Sequence, residues 1–205
     1  SLSTRGLNEG IDFVGGRNYT IRFDQAVNPT EIADGLEEKL GGVQVKTYGS
    51  NNQIKLSTKY KVDQQGEDIQ DEIQNIIYSG VQDILPAGVT YEEFKVGGDD
   101  EIGIMSSIKV GPTIADDIKT ASFYAIIGSF IVVFLYILFR FRKWQFSVGA
   151  VAAVVHDVLI VLGIFSATYT IAPFDMEINQ AFIAAILTVI GYSLNDTVVV
   201  FDRIR

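Results

Sequence analysis

The stretch TASFYAIIGSFIVVFLYILF, from Thr120 to Phe139, contains 20 residues and no charged side chain. As a helix rising about 1.5 Å per residue it would be roughly 30 Å long, which matches the hydrocarbon thickness of a bilayer. Two later stretches are equally apolar, apart from a few polar or ionisable residues. The sequence therefore predicts three membrane-spanning helices, at residues 120–139, 146–169 and 178–201.

Charge is distributed unevenly along the 205 residues. Residues 1–118 hold 20 of the 25 Asp and Glu side chains. A stretch of this length is sufficient for one modest domain with its own core. We therefore expect a domain over residues 1–118 and a transmembrane bundle over residues 119–205. The acidic balance disfavours nucleic acid as a partner, and the absence of cysteine excludes disulfides and thiol nucleophiles.

Basic residues follow the first and third predicted spans, whereas the connection between the second and third spans has none. These residues are Arg140, Arg142, Lys143, Arg203 and Arg205. The positive-inside rule places both basic ends in the cytoplasm, so the preceding domain is expected to be extracytoplasmic. Such a domain normally needs an earlier hydrophobic segment to carry it across, and we expect further membrane helices at both ends of the chain.

The first 118 residues show the patterns of a mixed α and β domain. Apolar residues at helical spacing predict two helices, Pro29–Leu40 and Glu67–Tyr78, and the first has Asn28 as N-cap and Gly41 as its stop. Alternating stretches bounded by turn residues predict four strands, at 19–23, 43–48, 53–57 and 89–96. The resulting order βαββαβ is that of a ferredoxin-like α+β sandwich. The pattern leaves open whether 107–110 adds a further strand.

Asp196 lies inside the third predicted span, roughly 27 Å along the helix from Ile178. An ionised carboxylate in hydrocarbon costs at least ~2.5 kcal/mol, so such a residue normally faces a bundle interior, a partner or water. The same cost favours reversible protonation. Asp196 is therefore a candidate proton-translocation residue, with Asn195 beside it. The alternative is a structural role near the cytoplasmic boundary, in which Asp196 pairs with Arg203 or caps a neighbour.

The second predicted span carries two adjacent ionisable residues near its middle, His156 and Asp157. Consecutive helix positions differ in direction by about 100°, so the two side chains need not touch, and one of them can face the third helix. Because an imidazole titrates near pH ~6.5, a proton-relay role is one interpretation of the pair. Hydrogen bonding to neighbouring helices, for packing alone, is the other.

No arrangement of residues points to catalysis. The pair Gly15-Gly16 lacks the context of a phosphate-binding loop and is predicted to form a turn, and Gly111-Pro112 marks the junction between the domain and the first span. The one histidine lies within a predicted span, with no nucleophile arrangement and no metal-ligand spacing. We expect neither an enzyme nor a site for a metal or cofactor.

Four motifs carry a resemblance to a known family: GIDFVGG at 10–16, VGPTI at 110–114, HDV at 156–158 and TVIGYSLNDTVVVFDRIR at 188–205. With these motifs the chain resembles the SecF members of the SecD/SecF protein-export family over nearly its whole length. A fusion in which SecD and SecF form one polypeptide would contain the same stretch. The first motif contributes Gly10, Asp12, Gly15 and Gly16, with Val14 where the family usually has Thr.

The resemblance implies a specific function. Members of this family are similar to proteins of the resistance-nodulation-division superfamily and use the proton-motive force to promote late-stage export of preproteins. The partners implied are SecD, the Sec translocon channel, unfolded preprotein and the lipid of the bacterial inner membrane. Asp196 matches the family's intramembrane acidic residue implicated in proton conduction, whereas structural roles are implied for Asp202 and Arg203. The resemblance also implies that a SecF half has six spans, so the three spans predicted here would correspond to the second, third and fourth, without the first and the last two.

Two other functions are compatible with the same residues. A proton-coupled exporter of small molecules or lipids, from the same superfamily, would share the intramembrane acids but should show a substrate pocket. A non-motor scaffold of the translocon would recruit partners through its acidic domain and would not need Asp196.

Overall fold

Four extended segments build an antiparallel sheet in the computed structural model, which describes residues 7–64, 66–98, 101–172 and 174–204. The strands are β1 (Gly16–Arg22), β2 (Val43–Tyr48), β3 (Ser50–Thr58) and β4 (Gly103–Val110). They lie in the order β2-β3-β1-β4, and each strand is antiparallel to its neighbours. The same part of the chain contains four helices: the short α1 (Ile11–Val14), α2 (Pro29–Leu40), α3 (Glu67–Val81) and the short α4 (Tyr91–Lys95). The ferredoxin-like order βαββαβ is confirmed.

Helix α2 begins and ends where the sequence predicts. The side chain of Asn28 accepts a hydrogen bond from the amide of Thr30 at 3.1 Å, and Pro29 occupies the first turn. Gly41 ends the helix in the left-handed region with φ of 61°. That conformation carries little strain for glycine because no Cβ is present.

One hydrophobic core lies between the sheet and the two longer helices. Its fully buried side chains include those of Tyr19, Ile21, Phe23, Ile32, Leu36, Ile54, Leu56, Ile73, Ile77 and Phe94. Helices α2 and α3 approach each other closely at Gly80, where an added Cβ would overlap the side chain of Leu36. Burial of these apolar groups is the main driving force for this part of the fold.

The predicted strand Val89–Val96 is wrong. Thr90 instead forms a capping box with Glu93, in which each side chain accepts a hydrogen bond from the other residue's backbone amide. This pairing starts α4 and turns Phe94 into the core, where it is fully buried. The fourth strand is β4, which contains the 107–110 stretch that the pattern left open and extends it back to Gly103.

The chain divides into two compact units. One, the sheet domain, comprises Gly10–Asp116 and Ala172–Asp175; the other, the helical unit, takes in Glu9, Asp117–Ile171 and the residues from Met176 onward. Each unit is described by itself below.

The segment Ala172–Asp175 belongs to the sheet domain because it contacts β2 and the neighbouring strand β3. Phe174 forms a parallel bridge with Thr47 of β2. Lys46 donates a hydrogen bond to the carbonyl of Ala172 at 3.3 Å, and Lys55 pairs with the Asp175 carboxylate at 2.6 Å. Lys46 and Lys55 are direct cross-strand partners, so this segment offers oxygen acceptors to two neighbouring cations.

Candidate functional site

In the part of the chain that the structure describes, three helices are long and apolar enough to cross a membrane: α5 (Pro112–Phe141), α6 (Trp144–Thr168) and α7 (Gln180–Ile204). Each contains most of one predicted span. The ends differ by one to three residues, except that α5 begins eight residues before the predicted start at Thr120. The eight residues before Thr120 include three charged ones, Asp116, Asp117 and Lys119, which is why hydropathy alone does not detect this part of α5. Its first five residues, Pro112–Asp116, belong to the sheet domain.

The end of α5, the start of α6 and the end of α7 meet in one aromatic cluster. Phe141, Phe146 and Phe201 stack with ring centroids 4.8–5.6 Å apart. Close by in sequence, Arg140 pairs with Asp202 at 3.1 Å. These contacts join the basic end of α5 to the basic end of α7. The pairing of Asp202 is in keeping with a structural role.

Asp157 links α6 to α7. Its carboxylate accepts a hydrogen bond from the Ser193 hydroxyl at 2.7 Å, so one member of the ionisable pair does face the third long helix. The other carboxylate oxygen lies 3.3 Å from Nδ1 of His156, which means that the adjacent side chains do touch. The imidazole itself is largely exposed in the described part of the chain. A chain of polar contacts therefore runs from His156 through Asp157 to Ser193.

Asp196 has an exposed side chain, and no described residue forms a hydrogen bond or ion pair with it. It lies 16 residues after the start of α7, or about 24 Å along a helix of 25 residues. Asn195 lines a groove of about 410 Å³ between α5 and α7, whose other walls are mainly apolar. Asp196 is therefore a lone carboxylate in an apolar helix, beside an amide that faces the neighbouring helix.

The alternative in which Asp196 pairs with Arg203 finds no support among residues 101–172 and 174–204. Arg203 makes no ion pair there, and Arg205 lies outside the described residues. The structure also shows no hydrogen bond between Asp196 and either His156 or Asp157. These three predicted site residues therefore form two separate groups in the helical unit.

The GIDFVGG motif and the Gly111-Pro112 junction lie together within the sheet domain. Gly10 is the N-cap of α1, Asp12 lies in its first turn and Gly15 is its C-cap, with φ of 74°. A Cβ on Gly15 would lie 3.3 Å from the backbone of Pro112. The glycine thus permits close packing of the motif against the start of α5, which supports a tight junction rather than a phosphate loop.

Within the described ranges, no group of three or more His, Asp or Glu side chains could hold a metal ion. The candidate residues of α6 and α7 are suited to hydrogen bonding and proton exchange. They supply the imidazole of His156, the carboxylates of Asp157 and Asp196, the amide of Asn195 and the hydroxyl of Ser193.

Comparison with known proteins identifies the family. The model described as "Protein export membrane protein SecD/SecF, C-terminal" matches residues 91–205, which is more than half of the chain. The chain belongs to the SecD/SecF family. A second model, the SecD/SecF GG motif, matches residues 1–27, where GIDFVGG lies. The resemblance inferred from the sequence is confirmed, and the chain is a membrane protein.

Individual SecD/SecF relatives extend this result over the whole chain. Protein translocase subunit SecF of Rhodothermus marinus is 43% identical over 207 residues, and that of Vibrio alginolyticus is 35% identical over 206. These alignments cover the whole chain but 60% and 58% of the relatives. The crystal structure of SecDF, a translocon-associated membrane protein from Thermus thermophilus, superposes with a TM-score of 0.74 at 27% identity, covering 100% of this chain and 24% of that one.

Sequence reasoning missed Ser193, the partner of Asp157. The residue stands in the GYSLND motif, three positions before Asp196, so a signal was present. A serine in a spanning helix commonly bonds its own backbone, as Ser129 does with the carbonyl of Ile126. Only the packing of α6 against α7 distinguishes the two situations.

Proposed function

We propose that this chain takes part in Sec-dependent protein export as a SecF subunit or half, and that together with SecD it uses the proton-motive force to promote late-stage preprotein translocation. The observation that carries the proposal is the lone carboxylate of Asp196 in a helix long enough to span a membrane. Such a residue is a functional site by default, since its ionised form is costly in hydrocarbon. The names of the SecF relatives support the transport process itself.

The proposed mechanism is proton-coupled domain motion. Protonation of Asp196 removes a charge from α7 and changes which helix packing is favoured, and the shift reaches the sheet domain through Gly111-Pro112. Moving one charge through 100 mV supplies about 2.3 kcal/mol, which biases a conformational equilibrium but does not pull a polypeptide across in one step. Repeated cycles are therefore required. The contacts of Asp157 with His156 and Ser193 offer a second group for proton exchange.

The proposed setting is the bacterial inner membrane, with the sheet domain on the extracytoplasmic side. Arg140 lies in the last turn of α5, and Arg142 and Lys143 connect α5 to α6. The positive-inside rule assigns such a basic connection to the cytoplasm. The proposed partners are SecD, the Sec translocon channel, unfolded preprotein and membrane lipid. The Thermus thermophilus relative, described as translocon-associated, supports the channel as a partner.

The test is proton-gradient-dependent export by the full-length protein with SecD, in inverted membrane vesicles. Asp196→Asn should abolish the stimulation of export by the gradient. Asp202→Asn is a matched control, because it removes the same charge from the same helix at a residue paired with Arg140. It should retain the stimulation. Immunoblotting of the membranes checks that both variants insert.

Two results would contradict the motor proposal. Undiminished export by Asp196→Asn would support a scaffold. Normal export with loss of proton-coupled efflux of a small molecule or lipid would support the exporter alternative.

A further inference from the structure

A pocket of about 680 Å³ opens within the sheet domain where β1 and β4 meet the first turns of α3 and α5. Its lining includes Arg17, Lys109, Gln70 and Gly66, together with Gly111–Ile114 at the start of α5. Of these residues, only Gly111 and Pro112 enter the proton-translocation proposal, as the junction; the charged and amide side chains of the pocket have no part in it.

Arg17 is a charged side chain in the wall of this pocket with only 3% of its surface exposed. Its guanidinium donates to Gln70 Oε1 at 2.9 Å and to the carbonyl of Gln64 at 3.2 Å, while its Nε has no acceptor among the described residues. Those acceptors are neutral, and no described carboxylate forms an ion pair with it. A buried charge is normally paired, because losing its hydration is expensive. Arg17 therefore has no counter-anion among the residues that the structure describes.

Lys109 adds a second cation on the same wall. It is the direct cross-strand partner of Arg17, and its ammonium donates to the same Gln64 carbonyl at 2.5 Å. Like charges directly opposite each other destabilise a sheet. Partial burial, and next the neighbouring guanidinium, lower the pKa of Lys109 from its ordinary value, with Asp63 acting weakly in the opposite direction. An anion bound between these two side chains would relieve the repulsion.

Two helices start at the pocket. The N-cap of α3 is Gly66, which has φ of 145° and provides no side-chain cap for the first-turn amides. Helix α5 begins at Pro112 and has no acidic residue in its first turn. Each helix N-terminus carries about half a positive charge, and its unpaired amides bind anions. The donors thus approach the pocket from two strands and two helices, which suits a tetrahedral anion better than a planar carboxylate.

Among the described residues, the acidic side chains that line the pocket are Asp63 and Glu67, both exposed at its rim, and Asp68 follows Glu67 in the first turn of α3. They disfavour a polyanion and restrict the ligand to one anionic group. We propose that this pocket binds a single phosphate group, carried either by a phospholipid headgroup or by a soluble phosphate compound. Arg17 and Lys109 are the binding residues, and the amides that begin α3 and α5 complete the site.

The experiment uses the whole chain purified in a phosphate-free, uncharged detergent. Equilibrium dialysis with radiolabelled orthophosphate, at constant ionic strength, measures the soluble source. Native mass spectrometry with phosphatidylethanolamine, against diacylglycerol with the same acyl chains, measures the lipid source. Lys109→Gln is the principal variant, because the residue is partly exposed and its loss should not disturb the core. Lys39→Gln is the control, since it removes an equal charge from an exposed site outside the pocket.

Lys109→Gln should weaken binding of orthophosphate or phosphatidylethanolamine by about tenfold or more, the loss expected for one charge-assisted hydrogen bond, and Lys39→Gln should leave it within about twofold. Arg17→Met, with folding checked by circular dichroism, should show a loss at least as large. Binding of orthophosphate identifies the soluble source, and binding of the lipid alone identifies the headgroup. The proposal would be overturned if neither probe bound, or if Lys109→Gln and Lys39→Gln bound the probe equally well. It would also be overturned if orthophosphate did not bind and the chain retained diacylglycerol as well as phosphatidylethanolamine.

Discussion

The hydrogen bond between Ser193 and Asp157 should stabilise the packing of α6 against α7 by a measurable amount. The hydroxyl oxygen lies 2.7 Å from the carboxylate, and the two residues are 36 positions apart in sequence. Hydrogen bonds between membrane helices contribute about 0.6 kcal/mol on average and up to about 1.7. Because the acceptor is a carboxylate, Ser193→Ala should cost about 1 kcal/mol, which is roughly a fivefold change in the ratio of folded to unfolded protein.

Ser147 provides a matched control on α6. It is fully buried, and its hydroxyl has no hydrogen-bond partner among the described residues. Ser147→Ala removes the same atom without breaking a hydrogen bond, and it eliminates an unsatisfied buried polar group. Its effect should therefore be neutral, or stabilising by up to about 1 kcal/mol.

The assay is reversible unfolding of the whole chain in mixed micelles of increasing dodecyl sulfate content. Trp144, the single tryptophan, reports from the first residue of α6. Far-UV circular dichroism supplies a second signal. The reasoning would be refuted if the two serine variants lost equal stability, or if Ser147→Ala were the more damaging.

Two further predictions concern the sheet domain. Gly103→Ala should lower the stability of this domain by about 2–6 kcal/mol, because φ at Gly103 is 133° and an added Cβ would overlap the Phe94 backbone, whereas Gly98→Ala, with open space around it, should change little. Hydrogen exchange of the β1 and β4 amides measures both effects, and equal protection of these amides in the two variants would contradict the account. Lys61 donates hydrogen bonds that lower the pKa of Glu72 from 4.5, so the pair's contribution to the free energy of unfolding is present above pH 4.5 and is lost as the pH falls through the lower pKa of the folded state. In denaturant titrations at several pH values, Glu72→Gln should reduce the loss of stability at acid pH, and an unchanged loss would argue against the pair.

Local signals were sufficient for much of the fold. The Asn28 cap, Pro29 and the Gly41 stop predicted both ends of α2, because capping depends on residues adjacent in sequence. The same local reasoning failed at 89–96, where apolar and β-branched residues resemble a strand. The T-x-x-E signature at Thr90 was available and indicated a helix start, but its helix is only five residues long.

The candidate site was predictable residue by residue but not as an arrangement. Asp196, His156 and Asp157 are conspicuous because ionisable residues are rare in apolar stretches. Nothing in the sequence indicated that Asp157 contacts Ser193, or that Asp196 is separate from that contact. The same holds for Arg17 and Lys109, which are 92 positions apart and become neighbours through the pairing of β1 with β4.

The sequence by itself determined the class of protein, the three apolar helices, the βαββαβ order apart from the position of its last strand, and the family. Hydropathy, periodicity and capping are properties of contiguous residues, so they can be read without knowing where the chain goes. The tertiary structure alone decided which polar groups meet. It joined Ser193 to Asp157 and placed Arg17 beside Lys109 at two helix starts, because contacts between distant residues depend on the whole path of the backbone.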